Sequence, residues 1–126
     1  MNKEIIHTKL APEAIGPYEQ AIKTGGFIFT SGQIAIDPKT NLLIENSIEK
    51  QTKRVLENLK AVLEAGGSSL NMVVKTTIYL KDLKTFDVVN TLYSEYFEKS
   101  KPARSTIQVA ELPKGALIEI DAVALV

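Results

Sequence analysis

The chain has 126 residues, of which 15 are basic and 15 acidic, and its formal net charge is zero. This length is close to the commonest size of one domain, so we expect a single domain over residues 1–126. The balanced charges argue against binding to nucleic acid or to an anionic membrane. The absence of cysteine excludes disulfides, thiolate metal ligands and thiol nucleophiles.

A single histidine, His7, restricts the chemistry further. Catalytic triads, histidine-rich zinc sites and paired-histidine acid–base schemes are disfavoured, so we expect no bound metal. The sequence has no glycine-rich phosphate-binding motif, and no nucleotide cofactor is expected. No apolar run approaches the length of a membrane span and no signal-like segment opens the sequence, which predicts a cytoplasmic protein without a membrane partner.

The first part of the chain predicts short strands separated by turns. Strands are predicted at residues 4–7, 20–24 and 27–34. His7 lies in the first of them, where we expect a structural or exposed role. Pro12 and Gly16-Pro17 break the segment 8–18 into a loop, and Gly25-Gly26 is expected to join the second and third strands as a hairpin turn.

A turn over residues 37–41 precedes the first predicted helix. This helix begins after Asn46 or Ser47, either of which can cap it, and ends at Ala65. Glu49 is placed to complete a capping box with Asn46. The apolar positions of the helix make one stripe that must pack on a sheet: Ile48, Val55, Leu56, Leu59, Val62 and Leu63.

The second half of the chain predicts a strand, a helix and a final strand. Residues alternate from Met72 to Leu80, and Asp82 can cap a helix that runs through Phe97, with an inner face of Phe86, Val89, Tyr93 and Phe97. In the last strand, Leu117 to Leu125, one side carries Ile118, Ile120, Ala122 and Ala124, and the other carries Leu117, Glu119, Asp121, Val123 and Leu125. Because both helices cover the first side, we expect another subunit to cover the second, which gives an α+β oligomer.

Arg104 lies just before an alternating stretch, Ile107 to Val109, at the start of a predicted strand. Pro102 fixes its own backbone angle and is expected to hold Lys101 extended, which leaves Arg104 little local freedom. A guanidinium binds a small carboxylate through two parallel N–H groups, so Arg104 is a candidate anion-binding residue. A surface arginine paired with Glu111 is the alternative.

Four segments supply residues that could converge on one site. They are Gly16-Pro17-Tyr18, Thr30-Ser31-Gly32-Gln33, Pro102-Ala103-Arg104-Ser105 and Ile118-Glu119-Ile120-Asp121. In this order and at these separations they resemble the reactive intermediate deaminase family (the Rid or YjgF-like proteins), and particularly its imine-hydrolysing archetypal branch. The resemblance covers essentially the whole chain and includes Val74 to Thr77, Val89-Asn90 and Glu111 to Lys114.

The resemblance implies a chorismate-mutase-like α+β domain in which two helices pack on one face of a mixed β-sheet. It also implies a homotrimer with sites in the clefts between subunits. The family reaction is hydrolysis of short 2-imino acids, such as 2-iminobutanoate and 2-iminopropanoate, or of the enamines that tautomerise to them, to 2-oxo acids and ammonia. An imine is already electrophilic, so this hydrolysis needs no cofactor.

Carried over by position, the resemblance assigns the substrate carboxylate to Arg104 and the positioning or activation of water to Glu119. The residues expected to line the pocket are Tyr18, Ser31, Gly32, Asn90 and Thr106. Many members of this branch have cysteine where this chain has Thr106, and their final Ile-Glu-Ile-Glu appears here as Ile118-Glu119-Ile120-Asp121. Thr106 keeps a small polar group and removes the thiol.

Other interpretations remain open from the sequence. Arg104 and Glu119 could pair across neighbouring strands, Tyr18 could belong to the core, and Ser31 could be a turn hydroxyl. The alternative function is a sensor module that binds a 2-oxo acid without turnover and reports it to another protein. An RNA-cleaving activity, as described for some relatives, fits poorly with zero net charge.

Overall fold

The computed structural model describes residues 2–126, which form an α+β fold. In chain order the strands are β1 (Glu4–Ile6), β2 (Ala21–Thr24), β3 (Phe27–Thr30), β4 (Ile36–Asp37), β5 (Leu42–Leu43), β6 (Val73–Leu80), β7 (Ala103–Gln108) and β8 (Ile118–Leu125). The helices are α1 (Ile48–Ala65) and α2 (Phe86–Tyr96), and short 3-10 turns lie at Leu70–Met72, Leu83–Thr85 and Pro113–Gly115. The predicted class, a mixed sheet with two helices on one face, is confirmed.

Six strands form one sheet in the order β1-β2-β3-β8-β6-β7. Among the described strands of this sheet only β6 and β7 pair in parallel, because α2 carries the chain back across the sheet between them. The other neighbouring pairs are antiparallel. The predicted turn at residues 37–41 closes a separate β4–β5 hairpin that the sequence pattern did not reveal.

The start of α1 differs from the prediction in one detail. The Ser47 side chain accepts a hydrogen bond from the Lys50 N–H at 3.3 Å, so Ser47 is the cap. The predicted capping box between Glu49 and Asn46 is wrong, because the Glu49 carboxylate accepts from the Ser47 hydroxyl instead. The predicted apolar stripe is buried along the helix, with Ile48 half-buried at its beginning.

The end of α1 packs closely on the sheet. A Cβ atom on Gly66 would lie 2.5 Å from Ile6 Cδ1 and 2.7 Å from Ile28 Cδ1. A glycine therefore lets the end of the helix reach β1 and β3 without displacing their side chains. The side chains of Ile6 and Ile28 belong to the main core, which lies between the helices and this face of the sheet.

The second helix is shorter than predicted. Asp82 accepts from the Lys84 N–H at 2.9 Å and so caps a 3-10 turn, after which α2 begins at Phe86. Val89 and Tyr93 are buried against the core, as the pattern predicts. Within residues 2–126 no helix combines the length and the apolar character that crossing a membrane requires.

The segment between α2 and β7 corrects one prediction. Lys101 has φ of 42°, in the left-handed region, and its N–H donates to the Phe97 carbonyl at 3.0 Å. The prediction that Pro102 holds Lys101 extended is therefore wrong, because this turn closes the end of the helix before the chain enters the sheet. β7 then begins at Ala103, earlier than predicted, so that Arg104 is its second residue.

The other face of the sheet is open. It carries large apolar side chains that are between 38% and 60% exposed: Ile5, Phe27, Phe29, Ile107 and Leu125. The predicted alternation of β8 is confirmed, since Ile118, Ile120, Ala122 and Ala124 are buried under the helices. Glu119 and Asp121 consequently lie on the open face.

Candidate functional site

The predicted site residues divide between two places in the fold. A first cavity, of about 450 Å³, is lined by four of them: Tyr18, Ser31, Gly32 and Glu119. The loop before β2, the segment that leads into β4 and Pro113 supply the other walls, which are mainly apolar. Glu119 and the exposed Glu13 are the charged residues of this lining. We call the four residues the Glu119 half-site.

The loop that carries Tyr18 is held by Gln20, a buried residue that the sequence pattern did not single out. The Gln20 amide accepts from the Thr8 N–H at 2.7 Å and donates to the carbonyls of Thr8, Ala11 and Pro12 at 3.0, 3.3 and 2.8 Å. Tyr18 itself is 48% exposed, so the alternative that it belongs to the core is wrong. The hydrogen bonds of the buried Gln20 therefore fix the loop, while the Tyr18 side chain remains accessible to a ligand.

Ser31 and Gly32 mark the point where the chain leaves the sheet. β3 ends at Thr30, earlier than predicted, and the Ser31 hydroxyl donates to the Glu19 carbonyl at 2.5 Å. A Cβ atom on Gly32 would lie 2.1 Å from Glu119 Oε2. The Glu119 carboxylate thus occupies the space that any other residue at position 32 would fill.

The surroundings of Glu119 raise its affinity for a proton. Burial raises the pKa of the Glu119 carboxyl above its ordinary value of 4.5, and the charge of nearby Asp121 raises it further. Burial also raises the pKa of Asp121, although the hydrogen bond that the Tyr79 hydroxyl donates to it, at 3.2 Å, acts in the opposite direction. Glu119 therefore binds a proton more readily than an exposed glutamate does.

Arg104 and Asn90 line a second cavity, of about 520 Å³, between α2 and the start of β7. Arg104 Nη1 donates to Asn90 Oδ1 at 2.8 Å. The guanidinium carbon lies 4.9 Å from the centre of the Tyr93 ring and 5.4 Å from that of Phe86. We call Asn90, Arg104 and Thr106 the Arg104 half-site.

The guanidinium of Arg104 keeps donors for a ligand. A guanidinium has five N–H groups, and within residues 2–126 only the contact with Asn90 uses one of them. The ion pairs found in the same residues do not include Arg104. The alternatives that Arg104 pairs with Glu111 or with Glu119 are therefore wrong.

Thr106 follows Arg104 by two residues on β7 and faces the helices. The parallel register aligns it with Ile78, which is buried. The Oγ1 atom of Thr106 is buried and has no hydrogen-bond partner among residues 2–126. Thr106 therefore lies beside Arg104 on β7, but it is not part of the lining of the second cavity, and its predicted role in the pocket stays a prediction.

One chain does not bring the two half-sites together. The sheet register aligns Arg104 with Thr76 and Glu119 with Tyr79, so that β6 lies between them. Thr76 is buried beneath α2 whereas Tyr79 lies on the open face, which places Arg104 and Glu119 on opposite faces. With about 4.8 Å between strands and about 3.3 Å per residue, their Cα atoms are about 14 Å apart.

Comparison with known proteins shows which family has this sequence and fold. The sequence profile of the family described as Endoribonuclease L-PSP matches residues 8–126. A RutC family protein of Pyrococcus abyssi is 58% identical over 124 residues, which is 98% of each chain. The 2-iminobutanoate/2-iminopropanoate deaminase of Mus musculus is 43% identical over 123 residues, covering 98% of this chain and 91% of the mouse protein.

The similarity extends to solved structures. The crystal structure of a protein of the conserved Rid family from Yersinia pestis is 50% identical and matches with a TM-score of 0.97, covering 99% of this chain and 100% of that chain. The mixed sheet, its two helices and these matches agree. The chain belongs to the Endoribonuclease L-PSP family, which includes the RutC and reactive intermediate deaminase (Rid) proteins, and the resemblance predicted from the sequence is confirmed.

Proposed function

We propose that this protein hydrolyses short 2-imino acids and their enamine tautomers to 2-oxo acids and ammonia, with 2-iminobutanoate and 2-iminopropanoate as substrates. The observation that carries the proposal is Arg104, a half-buried guanidinium with free N–H groups, in a chain that also presents Glu119 with a raised pKa. A 2-imino acid offers a carboxylate beside an electrophilic carbon, which such residues are suited to bind and attack. The name of the mouse relative supports the same reaction.

In this proposal Arg104 binds the substrate carboxylate through two N–H groups. Glu119 accepts a proton from a water molecule as the water oxygen attacks the C=N carbon of the iminium ion. Glu119 then donates this proton to the nitrogen and, ionised again, accepts the hydroxyl proton as the C–N bond breaks, so that ammonia leaves, the 2-oxo acid remains and the last proton passes to solvent. A base is most effective when its pKa is near the working pH, and the raised pKa of Glu119 moves it in that direction.

The proposal requires a second copy of the chain. The carboxylate and the imine of the substrate lie on adjacent carbons, whereas Arg104 and Glu119 of one chain lie on opposite faces of the sheet. In the proposed homotrimer, the open face of each copy packs against a neighbour, and each cleft combines the Arg104 half-site of one copy with the Glu119 half-site of the next. The exposed Phe27 and Phe29 on that face support this packing.

Light scattering provides the first check of the assembly. At micromolar concentration the particle mass should be about three times the chain mass of 13.8 kDa. A monomer would remove the proposed cleft and the function with it.

In the cleft of the proposed trimer, the wall near the water is formed by Tyr18, Ser31 and Gly32, and the wall near the carboxylate by Asn90 and Thr106. A single domain over residues 1–126, a cytoplasmic location and independence from cofactors are further parts of the proposal.

The description of the family names an RNA-cleaving activity. The formal net charge of zero gives this chain no overall attraction for a polyanion, which is the main source of affinity in RNA binding. The alternative closer to the site is a sensor, in which the same two half-sites bind a 2-oxo acid without turnover. Both alternatives are outcomes of the experiment below.

The experiment measures ammonia release from 2-iminobutanoate that an amino-acid oxidase generates in the cuvette, together with binding of 2-oxobutanoate by calorimetry. The expected result is acceleration above the spontaneous rate and detectable binding. Binding without acceleration would overturn the enzyme proposal in favour of the sensor. Cleavage of RNA without imine turnover would show that the activity in the family description applies to this chain.

A further inference from the structure

We propose that Tyr93 and Phe86 are positioning residues that fix the Arg104 guanidinium in the orientation in which it binds a carboxylate. The inference rests on the proposed role of Arg104 and adds two side chains that act through it. Neither ring was singled out as functional by the sequence pattern, which placed both on the inner face of the second helix.

The contacts come from one stripe of α2. Phe86, Asn90 and Tyr93 occupy positions i, i+4 and i+7, which share one face of a helix. The two rings lie 5.4 and 4.9 Å from the guanidinium carbon, within the about 6 Å over which a ring face attracts a cation. Asn90 adds the hydrogen bond at 2.8 Å. Three residues of a rigid helix thus contact one guanidinium.

The Tyr93 ring is itself held in place. Its hydroxyl and Thr76 Oγ1 form a buried hydrogen bond of 2.7 Å, and its centre lies 4.5 Å from that of the Phe97 ring. Thr76 is the residue that the parallel register aligns with Arg104 on the neighbouring strand. Thr76 and Arg104 are thus neighbours in the sheet, and the Thr76 side chain also holds the Tyr93 ring that the Arg104 guanidinium contacts.

This arrangement reduces what a ligand must organise on binding. A free arginine side chain loses many rotamers when its head group is fixed, and that loss weakens binding. In this site the rings and Asn90 fix the head group beforehand, while the remaining N–H groups stay without partners among residues 2–126. A ring attracts the cation through its π-system and, unlike a carboxylate, needs no in-plane N–H hydrogen bond, so these contacts leave the N–H groups available.

The test compares two substitutions at one position. Tyr93→Leu removes the ring, and the loss of its cation–π contact should weaken 2-oxobutanoate binding and raise KM for 2-iminobutanoate by about 5- to 30-fold. The value of kcat should change less than KM, because the lost interaction is made in the ground state and the transition state alike. Tyr93→Phe keeps the ring and should recover most of the binding.

A matched control separates positioning from stability. Val89 is buried on α2 one turn before Tyr93 and belongs to the core, so Val89→Ala should lower the thermal midpoint and leave 2-oxobutanoate binding within about twofold of the parent. Binding that weakens equally in Val89→Ala and Tyr93→Leu would show a general loss of packing and overturn the inference. So would a Tyr93→Leu variant that binds as tightly as the parent.

Nuclear magnetic resonance of the Arg104 Nε–H group gives a readout that needs no substrate. The group should be ordered in the parent and in Tyr93→Phe and mobile in Tyr93→Leu. If Arg104→Ala leaves 2-oxobutanoate binding intact, the proposed function fails even though the ordering is observed. If Arg104→Ala abolishes binding while Tyr93→Leu changes neither binding nor Nε–H order, the positioning inference alone is overturned.

Discussion

The two faces of the six-stranded sheet differ in how far a single chain covers them: α1 and α2 cover one face and leave the other exposed. The helix-covered face is largely apolar and buried, and its buried Thr76 has a partner inside the fold, the Tyr93 hydroxyl. The open face carries exposed Phe27 and Phe29 beside half-buried Glu119. The first face therefore holds the core of the fold, and the second carries exposed apolar side chains of the kind found at interaction surfaces.

The two half-sites follow the same division. Arg104 lies on the helix-covered face, where a helix, two rings and an amide hold it. Glu119 lies on the open face, where a loop tied down by Gln20 and the backbone at Gly32 form its surroundings. In the proposed function, binding of the carboxylate and activation of water thus belong to different parts of the fold, and substitutions should separate them.

The largest expected effect is on the open face. Glu119→Gln preserves shape but removes the base, so turnover of 2-iminobutanoate should fall by about 10²- to 10⁴-fold. Binding of 2-oxobutanoate should survive, because Arg104 is untouched. A kinetic assay paired with calorimetry measures both quantities, and a Glu119→Gln variant with parental turnover would remove Glu119 from the chemistry.

On the helix-covered face, Arg104→Ala should strongly reduce both the turnover of 2-iminobutanoate and the binding of 2-oxobutanoate. A buried ligand carboxylate that loses its charged partner costs on the order of 2–5 kcal/mol, which is about 30-fold to several-thousand-fold in affinity. The same calorimetry and kinetics apply. Tight 2-oxobutanoate binding by Arg104→Ala would show that another group holds the carboxylate.

The contact between Gly32 and Glu119 gives an intermediate effect. In Gly32→Ala the new methyl group would lie 2.1 Å from Glu119 Oε2, so the carboxylate must move. A displacement of about 1 Å from the productive position can cost about 10- to 100-fold in kcat. In the Glu119→Gln background the same change should add little, because the displaced group is already inactive; equal losses in both backgrounds would mean that Gly32 acts by another route.

The smallest expected effect is the dependence of stability on pH. Between the ordinary pKa of 4.5 and the raised pKa of Glu119, the folded protein holds a proton that the unfolded chain has released. Stability from this residue therefore falls as pH rises through that window and is constant above it. Glu119→Gln should remove this part of the fall and be at least as stable as the parent at neutral pH.

Urea unfolding of both proteins from acidic to neutral pH measures this difference. Activity should change with the opposite sign, since the base works only when ionised, and its acid limb should lie above pH 4.5. Parallel stability profiles for the parent and Glu119→Gln would contradict the raised pKa.

The sequence predicted those parts of the fold that depend on local pattern. The alternation in β8 assigned Glu119 and Asp121 to the open face, and the apolar stripe of α1 identified its buried side. The β4–β5 hairpin was missed because each strand has two residues, too few for a pattern. The Lys101 turn was missed because the hydrogen bond from the Lys101 N–H to the Phe97 carbonyl, four residues earlier, closes the end of α2 and outweighs the preference for extended backbone before proline.

The sequence proposed candidate site residues but not their arrangement. The predicted site residues line the two cavities or, for Thr106, lie beside Arg104, yet no sequence pattern showed that they form two groups on opposite faces, because that depends on the strand order. Gln20 and Tyr93 were missed as supporting residues since their partners are distant in sequence. The spacing of Phe86, Asn90 and Tyr93 at i, i+4 and i+7 was the one signal that could have linked the helix to Arg104.

The measurement that tests the central claim most directly is complementation between two inactive variants. Arg104→Ala keeps the Glu119 half-site and Glu119→Gln keeps the Arg104 half-site, so neither alone should turn over 2-iminobutanoate at more than a small fraction of the parental rate. When the two are unfolded together in equal amounts and refolded as mixed trimers, about one quarter of the clefts should combine both intact halves and recover about one quarter of the parental activity. If the mixed preparation remains as inactive as the separate variants, the site does not lie between subunits and the account is contradicted.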